Sequence, residues 1–313
     1  MENKSQKKVY KQSMKLMGNR FEITVVESSE ERASYYIDIA VQEIKRIERL
    51  LTTFDPDSET NLINDSAGLA PVKVSMEVVA LIERSLKLSE LTQGAFDITY
   101  GSINKDLWNF NTNMKSLPDK KTAAQMVKLI NYRNVIVNTQ KSTVFLKEKG
   151  MRIGFGGIGK GYAAESAKKI LREQNVQSGI INASGDLAAW GVQPDGKQWT
   201  IGIADPNAIS ALFSSFNISD MAVATSGNYE KFVTINGKKY SHTIDPKTGL
   251  PVRGIKSTTI ICTNAEIADA LTTPVMVMGI KAGLYMINQI KGVGCIIVDD
   301  NNNLFTSSNI RLI

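Results

Sequence analysis

Residues 154–191 indicate the fold class, and their sequence is GFGGIGKGYAAESAKKILREQNVQSGIINASGDLAAWG. A cluster of glycines precedes a helical pattern from about Tyr162 to Glu173, and the strand SGIINAS then runs into the apolar segment GDLAAWG. Strand follows strand here, whereas a doubly wound parallel sheet alternates strands with helices. The stretch therefore predicts an α+β fold.

Outward from this stretch, pairs of helices again stand beside neighbouring strands. A capping box of Ser28 and Glu31 predicts the start of a helix over 33–51, and Ser75 and Gly94 predict the two ends of another helix. The other predicted segments are a polar loop over 52–68, helices over 121–131, 264–279 and 281–290, strands over 134–138, 142–147, 200–203, 222–225, 231–235 and 258–262, and a hairpin of 295–300 with 303–308.

Composition and charge narrow the class of protein. Of 313 residues, 42% are hydrophobic and 22% are charged, which is typical of a folded globular protein. The net charge of +6 is concentrated in residues 1–20, which hold six lysines and arginines against one glutamate. Residues 1–13 are therefore expected to form a basic, disordered tail before one domain over 14–313, and the near-neutral domain gives no support for nucleic-acid binding. No apolar run is long enough to span a membrane, and Cys262 and Cys295 lie in apolar segments typical of buried thiols.

The glycine cluster contains Lys160 and stands directly before a helix. Exposed backbone amides at a helix start, with a cation beside them, suit a phosphate group. The pattern is not a P-loop, because Gly161 rather than Ser or Thr follows the lysine, and its context does not fit a dinucleotide-binding turn. A turn that only lets the helix pack closely is an equally good interpretation.

A second group of polar residues lies in NAEIADALTTPVMVMG. Asp269 and Thr273 are four residues apart, so a helix places them on one face, where a carboxylate and a hydroxyl suit Mg²⁺. The alternative is that Thr273 only bonds back to the carbonyl of Asp269. Pro274 removes one helical hydrogen bond and is expected to bend this helix.

The single histidine of the chain, His242, precedes a turn. Asp245 to Gly249, DPKTG, is a turn sequence in which Pro246 fixes φ and Gly249 accepts a positive φ. An imidazole there could act as a general base, since its pKa lies near working pH. The residues alone leave a purely structural role open.

Seven motifs, taken in their order along the chain, are more specific together than any of them alone. They are MGNRFEI, GAFDIT, GGIGKGYAAE, INASGDL, ATSGNYEKF, HTIDPKTGLPV and ADALTTPVMVMG. In this order they closely resemble the FAD:protein FMN transferase family, the ApbE-type flavin transferases, from about Met14 to the carboxyl terminus.

The resemblance implies a single-chain α+β architecture, similar to a T-fold, with mixed or antiparallel sheets and packed helices. It also implies an enzyme that uses Mg²⁺, transfers FMN from FAD through a phosphoester bond to a Thr or Ser hydroxyl of a target protein, and releases AMP. The resemblance further implies three sets of site residues. His242 would be the general base. The metal ligands would be Asp269, Thr273 and the carbonyls of Gly157 and Thr272, and the flavin contacts would be Met17, Phe54, Ala95, Phe96, Asp97, Lys160 and Thr243.

Two departures from the family pattern lie beside this site. Gly154 stands where many members carry an aspartate associated with flavin contact, and Pro274 follows the metal-ligand threonine. Neither change deletes a group with an implied catalytic role.

The alternatives that stay open at this point are Mg²⁺-dependent hydrolysis of FAD to FMN and AMP, and a flavin-binding protein without turnover. The expected partner is an acceptor flavoprotein with a Ser or Thr flavinylation motif, such as a subunit of an ion-pumping redox complex. The resemblance implies a periplasmic protein or a lipoprotein anchored in the inner membrane, with the export signal absent from this chain; a cytoplasmic protein is the alternative.

Overall fold

The structure, a computed structural model, describes residues 7–104, 116–204, 212–227, 232–235, 238–241 and 243–310. The helices are α1 Glu30–Leu51, α2 Glu59–Asp65, α3 Met76–Leu91, α4 Lys120–Met126, α5 Gly159–Glu173, α6 Ala265–Met278 and α7 Ile280–Ile287, with short 3-10 turns at Ile98–Ser102 and Tyr132–Asn134. The strands are β1 Lys8–Leu16, β2 Asn19–Glu27, β3 Val72–Lys73, β4 Val135–Asn138, β5 Thr143–Leu146, β6 Gly179–Ala183, β7 Asp186–Trp190, β8 Trp199–Ala204, β9 Leu212–Ile218, β10 Ala222–Gly227, β11 Phe232–Ile235, β12 Lys238–Ser241, β13 Ile255–Cys262, β14 Gly294–Asp299 and β15 Leu304–Thr306.

A large antiparallel sheet organises the fold. Within the described residues it has eight strands in the order β1-β2-β6-β7-β10-β13-β14-β15. Smaller sheets are formed by β3-β5-β4, by β8-β9 and by β11-β12. Every strand pairing that the structure describes is antiparallel, which confirms the predicted α+β class.

The two faces of the large sheet are covered differently. Alternate residues point to opposite faces of a strand, so Ala222 and Ala224 of β10 join the main core under the helices while Val223 faces the other way. Helices α1, α5 and α6 pack on the first face. The second face holds a smaller core to which the hairpin of β8 and β9 contributes Trp199 and Ile218. The helical face is the one that carries the site.

Side-chain caps mark the starts of several helices, although α5 and α7 have none. Ser75 accepts a hydrogen bond from the Val78 amide at the start of α3, as predicted, and Gly94, with φ +79°, follows its end. Asn264 caps α6 through the Ile267 amide. The predicted cap of α1 is wrong by one residue, because Ser29 rather than Ser28 accepts from the Arg32 amide.

The predicted disordered tail is wrong from residue 8 onward. Residues 8–16 form β1, which pairs with β2 along its whole length. Tyr10 and Met14 pack against the main core, and Lys11 forms an ion pair with Glu22 at 2.6 Å. Net charge indicated a solvated tail, but alternate apolar residues stabilise an edge strand with lysines on its exposed side. Residues 1–6 lie outside the described residues.

Other segments also differ from expectation. The polar segment predicted as a loop contains helix α2, capped by Ser58, and buries Asn61 and Asn64. Helix α5 begins at Gly159, three residues before the predicted start, so Lys160 belongs to its first turn. The strand pairs β8-β9 and β11-β12 include two strands, β9 and β12, that the pattern did not predict.

The expected burial of the two cysteines agrees with the structure. Cys262 and Cys295 are buried free thiols. In the described part of the chain, no helix is both long and apolar enough to cross a membrane.

Candidate active site

A cavity of about 750 Å³ opens where the amino-terminal end of α5 meets the surrounding loops. Its walls come from the turn between β1 and β2, the loop after α1, the segment 95–103, the glycine-rich segment 152–160 and the turn after residue 242. The volume falls in the range of small-molecule sites. Segments far apart in sequence therefore share one concave surface.

All residues implied as flavin contacts line this cavity. They are Met17, Phe54, Ala95, Phe96, Asp97, Lys160 and Thr243. Phe54 is 96% exposed, so its ring is available to a planar ligand rather than used in the core. Gly154 also lines the cavity, and a Cβ there would meet nothing within 4 Å. The flavin role of these residues stays a prediction, but their convergence on one cavity is a fact of the fold.

Asp97 supports the cavity wall through hydrogen bonds. Its Oδ1 accepts from the amide of Thr99 at 2.8 Å and from the Thr99 hydroxyl at 2.6 Å, while Oδ2 accepts from the Tyr132 amide at 2.8 Å. Burial raises the pKa of Asp97, and these hydrogen bonds oppose the rise. The carboxylate thus fixes segment 95–103 against the turn around Tyr132.

An ionic cluster lies where α5 packs against α6 and β7, and Lys160 connects it to the cavity. The Lys160 ammonium contacts the carboxylate of Asp186 and lies 3.6 Å from Oδ1 of Asp269. Both carboxylates are almost fully buried, whereas the Lys160 side chain is 27% exposed and reaches the cavity. Burial, and next the charge of Asp269, raise the pKa of Asp186, while Lys160 lowers it.

The close packing of α5 on α6 depends on Gly161. Its amide donates to Oδ2 of Asp269 at 2.9 Å. A Cβ at this position would lie 2.2 Å from the Ala265 carbonyl oxygen and 2.6 Å from Cβ of Asp269. The glycine therefore allows a direct contact between helix backbone and carboxylate that no other residue permits without movement.

The two threonines of α6 have different environments. The Thr272 hydroxyl donates to the Asp269 carbonyl at 2.7 Å and lies 2.8 Å from the Ser226 hydroxyl. The back-bonding considered for Thr273 is thus made by Thr272. Thr273 lines the cavity, and its hydroxyl lies close to Gly157. Pro274 lies inside α6 and has no amide hydrogen to donate to the Ala270 carbonyl.

These residues fit a hard divalent cation. Asp269 supplies a buried carboxylate, Thr273 a hydroxyl at the cavity wall, and Gly157 backbone beside that hydroxyl. Oxygen donors that leave several positions for water and phosphate are what Mg²⁺ prefers. Within the described ranges, no group of three or more His, Cys, Asp or Glu side chains could hold a metal.

The turn after residue 242 is closed by hydrogen bonds within it. The amide of Gly249 donates to the Asp245 carbonyl at 2.8 Å, and Asp245 Oδ1 accepts from the Lys247 amide at 2.8 Å. Gly249 has φ +70°, and a Cβ there would lie 2.1 Å from the Ala123 carbonyl oxygen. The predicted turn is confirmed, and it packs directly on α4. His242 itself lies outside the described residues.

A small core holds this turn in place. Ile244 packs with Met126 and Val127, and Tyr100 contacts this group from segment 95–103. Burial raises the pKa of Tyr100 to about 12, partly opposed by its hydrogen bond with the Ile244 backbone. Tyr100, Ile244 and Pro246 also line the cavity. The turn and segment 95–103 therefore pack together through this small core.

Sequence reasoning missed the role of Asp186 in the ionic cluster. Asp186 begins β7 after the tight turn of Ser184 and Gly185, both with positive φ. A buried aspartate at a strand start after a Ser-Gly turn was visible in INASGDL, but its partner Lys160 is 26 residues away. Only the pairing of β6 with β7 against α5 brings the two charges together.

Known proteins share this architecture. A model of the ApbE family matches residues 17–297. The chain is 33% identical over 310 residues to the FAD:protein FMN transferase of Klebsiella pneumoniae (strain 342), covering 98% of this chain and 95% of that protein. It is 29% identical over 284 residues to the FAD:protein FMN transferase of Treponema pallidum (strain Nichols), covering 85% and 78%.

Solved structures agree with this similarity. The crystal structure of the ApbE protein from Thermotoga maritima superimposes with a TM-score of 0.86 at 31% identity, covering 96% of this chain and 97% of that chain. The apo form of the Pseudomonas stutzeri flavinyl transferase ApbE gives a TM-score of 0.83 at 25% identity, covering 96% and 94%. The likeness therefore extends over nearly the whole chain.

Proposed function

The chain belongs to the ApbE family, and we propose that it is an FAD:protein FMN transferase that moves FMN from FAD to a Ser or Thr hydroxyl of an acceptor flavoprotein. The similarity to curated enzymes of that name supports the transferase activity. The observation that carries the proposal is the single cavity that joins the implied flavin contacts to the charged end of α5 and α6.

The proposed transfer is a single displacement at phosphorus. The acceptor oxygen forms a bond to the FMN phosphorus of the pyrophosphate, and the bond from that phosphorus to the bridging oxygen breaks. AMP leaves with the bridging oxygen, and the hydroxyl proton goes to a general base. The product is a phosphoester between FMN and the acceptor, so atoms and charges balance.

Different residues of this chain would bind the flavin, hold the metal and take the proton. Phe54 and segment 95–97 form the walls beside which the flavin ring would lie, and Lys160 brings a positive charge toward the pyrophosphate. Asp269, Thr273 and the Gly157 carbonyl would hold Mg²⁺, which when bound neutralises charge on the pyrophosphate. His242, which directly precedes the hydrogen-bonded turn of residues 243–249, would take the proton.

The proposal is tested by following both products at once. The protein is incubated with FAD, Mg²⁺ and a candidate acceptor domain; AMP is measured by chromatography and acceptor-bound flavin by in-gel fluorescence. We expect AMP and labelled acceptor in equal amounts, and no label when the acceptor Ser or Thr is changed to Ala.

The other outcomes point to the alternatives. AMP without labelled acceptor would replace transfer by hydrolysis of FAD. Tight FAD binding with neither product would replace it by a flavin-binding role. Equal labelling after removal of Mg²⁺ by a chelator would contradict the metal requirement.

A further inference from the structure

We propose that Asp186 is a positioning residue that holds the Lys160 ammonium and so keeps it off Asp269, which leaves Asp269 available for a divalent cation. The inference rests on the proposed function, because it assigns Asp186 to the same site. In this arrangement the Asp186 carboxylate binds the lysine and the Asp269 carboxylate binds the metal.

The geometry of the three charges supports this division. Lys160 contacts Asp186 directly, while its Nζ lies 3.6 Å from Oδ1 of Asp269, beyond an ordinary hydrogen bond. The ammonium is therefore already within an ion-pair distance of the carboxylate that is needed for the metal. If Asp186 lost its charge, Asp269 would become the stronger partner of Lys160 at this point in the site.

Asp186 is itself firmly placed. Its Oδ1 accepts from the Thr225 amide at 3.3 Å, which ties the carboxylate to β10. The turn before it is closed by a hydrogen bond of 2.9 Å from the Gly185 amide to Asn182 Oδ1. The residue is 3% exposed and is the first residue of β7 in the centre of the large sheet. Lys160 has the longer side chain of the pair, is 27% exposed and reaches the cavity.

The Asp269 carboxylate is held by the helix backbone through the oxygen that does not face Lys160. Oδ2 accepts from the Gly161 amide, so the carboxylate orientation is fixed by backbone and does not depend on Lys160. An ammonium that approached Oδ1 would compete with a metal for the same charge. Holding Lys160 at Asp186 therefore keeps this competitor away from the cation in the cavity.

Two other roles for Asp186 make different predictions. A carboxylate that bound the metal directly would contribute to metal affinity whether or not Lys160 were present. A carboxylate that only stabilised the fold would alter thermal stability without changing metal affinity. A double-mutant cycle separates these cases, because it measures whether one residue acts through another.

The test measures metal binding rather than turnover. Binding of Mn²⁺, used as a probe of the Mg²⁺ site, is followed by electron paramagnetic resonance without FAD and checked by competition with Mg²⁺. The proteins are the wild type, Asp186→Asn, Lys160→Met and the double variant. The matched control is Asp220→Asn, which removes the charge of an exposed aspartate paired with Arg172 at 3.4 Å.

We expect Asp186→Asn to bind Mn²⁺ roughly tenfold more weakly, the size of one hydrogen bond to a charged group. Lys160→Met should bind at least as tightly as the wild type, and the double variant should match Lys160→Met within about twofold. Asp220→Asn should match the wild type.

The inference is overturned if Asp186→Asn weakens Mn²⁺ binding by the same factor in the Lys160→Met protein as in the wild type. It is also overturned if Lys160→Met alone weakens Mn²⁺ binding, a result that stands even if Asp186→Asn does not fold. Absence of Mn²⁺ binding by the wild type overturns it too.

Failure of the inference and failure of the proposed function are distinguishable. The wild-type assay for AMP and labelled acceptor tests the function, whereas the Mn²⁺ cycle tests only the task of Asp186. If the acceptor is labelled but the effects of Asp186→Asn and Lys160→Met on Mn²⁺ affinity are additive, the transferase function stands and the positioning role is rejected.

Discussion

The two walls of the cavity are built in different ways. The helix wall consists of α5 and α6 on the large sheet, where Lys160 contacts Asp186 of β7 and lies 3.6 Å from Asp269 of α6. The turn wall consists of residues 243–249 packed on α4 through a small separate core. One wall holds fixed charges in the main core, and the other presents a short loop. Under the proposed function, metal and phosphate binding belong to the helix wall and proton transfer to the turn wall.

The largest effect is expected for Asp269→Ala on the helix wall. The change removes the only carboxylate implied as a metal ligand, so the transfer rate should fall by more than about 10⁴-fold, toward the rate without metal. The measurement is flavin transferred to the acceptor as a function of Mg²⁺ concentration. An unchanged Mg²⁺ dependence would remove Asp269 from the metal site and with it the distinction between the walls.

His242→Ala on the turn wall should act on the rate alone. General-base catalysis typically contributes about 10²- to 10⁴-fold, so transfer should slow by that factor while FAD binding stays near wild type. Single-turnover transfer gives the rate, and quenching of flavin fluorescence gives FAD affinity. Transfer at the wild-type rate would exclude His242 as the base.

Gly249→Ala tests whether the turn wall must stay packed on α4. The new Cβ would lie 2.1 Å from the Ala123 carbonyl oxygen, so the turn must move, and a misplaced catalytic group can cost up to about 10²-fold in rate. Mn²⁺ affinity should not change. The measurements are single-turnover transfer and Mn²⁺ binding.

The matched control for this change is Gly254→Ala. Gly254 has φ +88°, but a Cβ added there would meet nothing within 4 Å, so the substitution carries the backbone cost of about 1–2 kcal/mol without a clash. Equal rate losses in the two variants would show that backbone strain, and not contact with α4, explains the effect.

Gly161→Ala is the smallest of the four effects and affects the helix wall. The added methyl overlaps the Ala265 carbonyl oxygen, and overpacking costs about 1–3 kcal/mol even though Ala favours helices. We expect a lower free energy of unfolding and roughly tenfold weaker Mn²⁺ binding, the size of one hydrogen bond to a charged group. Lys169→Ala, at an exposed position of the same helix, should change neither quantity. Normal Mn²⁺ affinity in Gly161→Ala would show that Asp269 does not need the backbone contact.

The sequence predicted those parts of the fold that are encoded locally. Ser75 and Asn264 at their helix starts, and the turn around Gly249, depend on residues within a few positions of one another, and all three are confirmed. Patterning could not predict β1, because its stability comes from pairing with β2 and from the burial of Tyr10 and Met14 against distant residues.

The candidate site follows the same rule. The resemblance to the family indicated the residues that converge on the cavity, including Phe54 and Thr243. It did not indicate that Asp186 contacts Lys160, because that contact depends on where β7 lies relative to α5. Charge partners across separate elements are set by packing, which no local pattern records.

The most direct test of the account is to locate the cation with FAD bound. Crystals of the wild-type protein grown with FAD and Mn²⁺ are measured at an energy where manganese scatters anomalously. The account predicts one anomalous peak within coordination distance of the Asp269 carboxylate, the Thr273 hydroxyl and the Gly157 carbonyl, beside the FAD pyrophosphate, with Lys160 still on Asp186. A peak at Asp186 with Lys160 displaced, or a peak away from α6, would contradict it.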